Sequence, residues 1–196
     1  MVTLHSARSK AFVENWSHRG VAMADSLIEQ HEVRAAVVYT LVSRIGDVGK
    51  TQIQKLGYFL QEHYNVPLGC TFYIHQYGPY SDELDTAISN LKFMEYVSVT
   101  PDPQGYGFHV RPVSQAEKAW SGISDSVQDA LNDLIGKLGK KDARELELLA
   151  TIHDLAKSER STKQGLVALV QGLKPKFSEQ YISRKYDEMA ESGLLP

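Results

Sequence analysis

Ten residues near the middle of the chain, HQYGPYSDEL (75–84), constrain its fold more than any other stretch. A Gly-Pro pair interrupts regular structure, and Pro79 pushes Gly78 out of the α region. Directly after it, Ser81 or Asp82 reads as a helix N-cap. Asp82, Glu83 and Asp85 then fall where a helix dipole favours negative charge. The motif predicts a rigid corner opening an acidic helix whose inner stripe is Leu84, Ala87, Ile88 and Leu91.

What flanks the corner sets the architecture. From His31 to Ile45, Val33, Val37, Val38, Leu41, Val42 and Ile45 recur at helical spacing, and Gly46 reads as the C-cap. In KTQIQKLGYFLQEHY (50–64), Ile53, Leu56, Leu60 and Tyr64 share one face, with Gly57 among them where another backbone can approach. Lys55, Tyr58, Phe59 and Glu62 share the other face. Such a helix is covered on both sides within the chain, or it offers an aromatic back to a partner. CTFYIHQY (70–77) is a short extended run. After the acidic helix, YVSVT and YGFHVRPV alternate around the turn PDPQG, which is a β-hairpin. SQAEKAW (114–120) reopens a helix with Ser114 and Glu117 as a capping box. Helix, helix, helix, hairpin is the winged helix-turn-helix order.

The predicted fold is mainly α with a small β-hairpin: an N-terminal helical extension (1–30), a winged-helix-like module (31–120) and a C-terminal helical bundle (121–196). The extension holds one helix within 7–29. The bundle follows from stripes at Ile123, Val127, Leu131, Leu134 and Leu138, then Leu146, Leu149, Ile152 and Leu155, then Leu166, Val167 and Val170, then Ile182, Tyr186 and Met189. Their expected caps are Asp142, Ser161 and Ser178, and GKLGKKDAR (136–144) is the expected inter-domain joint.

Composition narrows the function. With 42% hydrophobic and 23% charged residues the chain reads as an ordinary soluble globular protein, and no apolar run suits a membrane span or signal peptide, so the cytoplasm is the expected compartment. The lone Cys70 makes no intramolecular disulfide and reads as a small buried apolar residue rather than a reactive thiol. Net charge is −3, and residues 61–120 carry three Lys/Arg against seven Asp/Glu, so the middle third is the acidic one. A winged helix that reads DNA shows basic or amide side chains from its third helix, whereas here Asp82, Glu83 and Asp85 come first, and the wing adds only Arg111 and His109. No P-loop, dinucleotide fingerprint or nucleophile elbow occurs, and His63 and His75 lack metal-ligand spacing. No enzymatic activity, cofactor or metal is expected.

Two motifs carry a resemblance. K-x-x-x-x-K-L-x-Y-F-x-Q (Lys50, Lys55, Leu56, Tyr58, Phe59, Gln61) and F-Y-x-x-x-Y-G-P-Y-S (Phe72, Tyr73, Tyr77, Gly78, Pro79, Tyr80, Ser81) resemble the Panacea-type domain of SocA-like antitoxins. YwgA-type proteins of bacilli are similar. The resemblance covers roughly 31–115 and implies a bacterial or phage origin, a mostly helical fold and a non-enzymatic role. That role is binding a protein partner, as an antitoxin on its toxin or as a protease adaptor on its target.

The expected partner-binding residues are Lys55, Tyr58, Tyr77, Pro79 and Tyr80. The more ordinary reading of YGPY is a packed corner whose rings cover the turn. The carboxylates are either dipole-compensating and solvated or matched to a basic partner surface. Lys137, Lys140, Lys141, Arg144, Lys174, Lys176, Arg184 and Lys185 read as solvated faces, with Arg184 and Lys185 the first place to seek nucleic acid. The alternative function is a winged-helix transcriptional regulator.

Overall fold

The structure, a computed structural model, describes residues 30–75, 77–103, 105, 107–113, 123–159 and 161–196. The helices expected within 7–29 and over 114–120 lie outside the described residues. The chain is mainly helical, with two small antiparallel sheets.

Helix α1, described over 30–45, buries Val37, Val38, Leu41 and Val42 and stops at Gly46, whose N–H donates to Val42 O at 2.8 Å. Strand β1 (Val48–Gly49) leads directly into α2 (Lys50–Glu62). The Gln52 side chain accepts from the Gly49 N–H at 2.7 Å and so closes the start of that helix. Residues Ile53 to Leu60 of α2 are all buried, because α2 touches α3, α4, α5 and both sheets. Both-face coverage within the chain is thus the outcome for this helix.

The connection after α2 is pinned rather than loose. Buried Arg34 donates to Leu68 O at 2.8 Å and Gly69 O at 2.9 Å. The Gln61 amide bonds Cys70 N and Cys70 O, both at 2.8 Å, and the Cys70 thiol is itself buried. From there β2 (Tyr73–His75) pairs with β3 (Gly78–Tyr80) in the register Tyr73↔Tyr80, Ile74↔Pro79, His75↔Gly78. Helix α3 (Asp82–Phe93) follows, with Leu84, Ala87, Ile88 and Leu91 buried as its spacing requires. The hairpin β4 (Val97–Pro101) and β5 (Phe108–Pro112) pairs Val99 with Val110, and β1 adds to the free edge of β5, giving the order β1-β5-β4.

Four helices complete the chain: α4 (Asp125–Leu138), α5 (Ala143–Ser158), α6 (Lys163–Leu173) and α7 (Glu179–Glu191). The Asp142 and Ser178 side chains cap α5 and α7, whereas Thr162, one residue beyond the expected Ser161, caps α6. Residues Leu146 to His153 of α5 are buried without interruption. Helices α4 and α5 both lie against α2, so stretch 136–144 is the corner between two helices on one surface. One apolar core runs from Val37 to Leu194. Among the described residues no helix is long and apolar enough to cross a membrane.

Helices α2 and α3 meet at Gly57. A Cβ built there would stand 2.5 Å from Leu84 Cδ1, inside van der Waals contact. Gly57→Val is therefore expected to destabilise the fold by about 2 kcal/mol, overpacking outweighing any gain in helix propensity. Adding Leu84→Ala should return part of that loss in urea unfolding. Strictly additive losses would show that the two helices do not meet at this glycine.

Candidate functional site

The Gly-Pro corner sits between α2 and α5. Gly78 has φ +82, and a Cβ on it would stand 3.3 Å from both Glu147 O and Thr151 Oγ1. A side chain is excluded twice, once by backbone conformation and once by the surface of α5. On the other side, α2 supplies partners for backbone groups that the corner takes out of water. Lys55 Nζ donates to Pro79 O at 2.5 Å. The Gln54 amide accepts from Ser81 N and donates to Ser81 O, each at 2.9 Å. Ser81 thus holds the N-cap position of α3 through its backbone, and its hydroxyl donates to Glu83 at 2.5 Å.

Beneath the corner lies a buried charge cluster. Glu147 accepts from Lys174 Nζ at 2.7 Å and Lys176 Nζ at 2.8 Å, which ties the α6–α7 connection to α5. Lys55 is 1% exposed. Burial pulls its ammonium down to about 8, with the Glu147 carboxylate opposing that shift and Lys174 adding to it.

In front of the corner an open pocket of about 260 Å³ forms where α2, the β2–β3 hairpin, the start of α3 and the tip of the β4–β5 hairpin converge. Lys50, Thr51, Gln54 and Lys55 come from successive turns of α2, and His75, Tyr77, Tyr80 and Phe108 supply the ring walls. Lys50 Nζ pairs with Asp85 Oδ1 at 2.5 Å and lies over the Phe108 ring at 5.9 Å from its centre. Tyr80 meets Tyr73 edge-on at 5.7 Å. Its hydroxyl is pushed up to about 12 by burial and by the Asp85 and Asp82 carboxylates.

Of the five residues nominated from sequence, Tyr77 is 51% exposed, Tyr80 is half-buried, and Lys55 lines the same pocket from within. Pro79 is buried and contributes its carbonyl, not its ring, to this geometry. Tyr58 lies elsewhere. It is buried, with its hydroxyl 2.9 Å from His153 Nδ1 and 3.3 Å from Asp154 Oδ1, and Phe72 against its ring edge. The surface expected to join Lys55, Tyr58, Tyr77 and Tyr80 therefore forms without Tyr58, because helix α5 covers that face of α2. A proton on His153 Nδ1 lets His153 donate to Tyr58 and Tyr58 to Asp154. Burial drops His153 to about 4, and His63 and Lys157 add to the shift.

Sequence reasoning missed Asp85, Gln54 and Phe108 as parts of the pocket, and Glu147 as its support. Glu147 left one trace: a single acid inside the apolar run LELLATI demands a buried cation. The three acids of α3 divide: Asp82 is exposed, while Asp85 pairs with Lys50 and Glu83 bonds Ser81. Arg111 and His109 both engage Asp47, each at 2.7 Å.

No protein-family model matches the chain. It is 25% identical over 142 residues to the uncharacterized protein YwgA of Bacillus subtilis strain 168, covering 72% of this chain and 82% of that protein. The likeness is consistent with a YwgA-like family, one of the two resemblances read from the sequence.

The buried lysine has a measurable signature. Between pH 8 and 10.5 the unfolded chain keeps the Lys55 proton that the folded chain has lost, so stability rises with pH across that window. Relative to Lys55→Met, wild type should gain about 2 to 3 kcal/mol in urea unfolding between pH 7 and pH 10. Parallel profiles for the two proteins would show that the ammonium is not desolvated.

Proposed function

We propose that this chain is a protein-binding module, antitoxin-like or adaptor-like, that captures a partner polypeptide at the YGPY pocket. The observation carrying this reading is a ring of exposed apolar side chains around a preformed cleft. Tyr73, Ile74, Tyr77 and Phe108 are each 45–51% exposed, and two of them border the pocket itself. Aromatic groups held on a rigid base give up little conformational entropy on binding, which is what makes such residues hot spots. The corner between them is fastened from behind by Lys55 and Gln54, so the cleft does not have to form when a partner arrives. The motifs that resemble the Panacea-type domain fall within residues 31–115, and the likeness to YwgA is consistent with a YwgA-like family.

The order α1, β1, α2, α3, β4, β5 with strands arranged β1-β5-β4 supports a winged-helix reading, with a β2–β3 hairpin inserted between the second and third helices. In DNA readers of this plan α3 enters the major groove. Here the first turn of α3 carries Asp82 exposed, Glu83 bonded to Ser81 and Asp85 paired with Lys50, and the arginine of the wing is engaged with Asp47. Phosphates are repelled at the very element that would approach them, which favours a protein partner over DNA.

Tyr77→Ala combined with Tyr80→Ala removes two of the four ring walls without touching the core. Affinity purification from the native host, followed by mass spectrometry, should recover a partner with wild type and lose it by about tenfold or more with the folded double variant. Undiminished recovery places the interface elsewhere. Salt-dependent binding of wild type to duplex DNA, read by fluorescence anisotropy, would instead favour the regulator.

A further inference from the structure

We propose that the YGPY pocket is a carboxylate receptor, with Lys55 as the group that binds the anion; this rests on the protein-binding reading and gives the partner a chemical identity, an acidic side chain or a chain end.

The argument begins with unused hydrogen-bonding capacity. An ammonium has three N–H donors, and Lys55 spends one, on Pro79 O. It has no ion pair within 4 Å among the described residues. Glu147, whose field reaches it, already holds Lys174 and Lys176 with its two oxygens. A lysine that is 1% exposed and spends one of its three donors is a costly arrangement. The cost becomes intelligible when the group lines a pocket into which an anion can come. A carboxylate meets that need, because it accepts charge-assisted hydrogen bonds and supplies the missing counter-charge together.

The surroundings select the kind of anion. Lys50 is neutralised by Asp85, so the pocket offers one uncompensated cation and not the array that a phosphate requires. The Thr51 hydroxyl borders the same space and suits a second carboxylate oxygen, whereas the Tyr80 hydroxyl is engaged with Asp85. Tyr77, His75 and Phe108 wall the mouth, where the apolar part of the acid-bearing residue would lie.

The test uses small probes followed by amide chemical shifts of Gly78 and Tyr80 in the full chain. N-acetyl-tyrosine carries a chain-end carboxylate, and its neutral counterpart is N-acetyl-tyrosinamide. N-acetyl-glutamate α-amide carries a side-chain carboxylate, with N-acetyl-glutamine amide as its counterpart. At least one acid should bind about tenfold more tightly than its neutral counterpart, and which one does identifies the source of the carboxylate. Lys55→Met should abolish the preference, and Asp85→Asn should preserve or strengthen it. If Lys55→Met does not fold, the Lys55 Nζ resonance of wild type gives the same answer, because a saturating acid must raise its titration midpoint. Equal binding of acid and neutral probe, a preference surviving in folded Lys55→Met, or an unmoved Lys55 midpoint overturns the proposal. Failure here leaves the protein-binding reading standing if the tyrosine double variant still loses its partner. A clear acid preference beside undiminished partner capture would keep the carboxylate site and remove that reading.

Discussion

A chain that folds a Gly-Pro corner into its interior must find partners there for backbone groups that water would otherwise serve. Each one left unpaired would cost about 1–3 kcal/mol. In this protein the Pro79 carbonyl goes to Lys55, and the Ser81 amide and carbonyl go to Gln54. Both side chains come from consecutive positions of α2, so that helix has to present a polar pair in the middle of a buried run. The placement of β3, the entry angle of α3 and the shape of the pocket all follow from this grip.

The C-terminal helices are the other half of the same constraint. Gly78 rests on the backbone of α5 at Glu147, and Glu147 draws in Lys174 and Lys176 from the α6–α7 connection. A second polar thread, Tyr58 with His153 and Asp154, ties α2 to α5 a turn further along. The last third of the chain therefore acts as the wall against which the YGPY corner is pressed. It holds the corner still, while Tyr77 and Phe108 beside the corner face solvent.

Much of this architecture was legible, and the reasons are local. Gly46 marks the end of α1, the stripe of Leu84, Ala87, Ile88 and Leu91 sets the inner face of α3, and Asp142 and Ser178 start their helices, because each of these signals depends on neighbours within a turn or two. The two-residue β1 was not legible, since its existence depends on the β5 edge more than 60 residues away. The β2–β3 pairing was hidden inside a run that reads as merely extended. Tyr58 reads as a surface residue because helical spacing says which residues share a face, not what covers that face. The cover is α5, whose own burial on all sides is announced by LELLATI but whose address is not. The pocket was half visible: its motif residues Lys55, Tyr77 and Tyr80 come together, while Phe108 and Asp85 join them only through tertiary folding.

The central claim is that the YGPY corner belongs to the core as a preset rigid element rather than to a loop that orders on binding. Amide hydrogen exchange at Ser81 tests this most directly, because its N–H is held by Gln54 in a buried bond inside an irregular segment. The account predicts that in the free protein this amide exchanges as slowly as those in the middle of α5, through global unfolding. Exchange at the rate of an exposed loop, with the amides of α5 still protected, would contradict it.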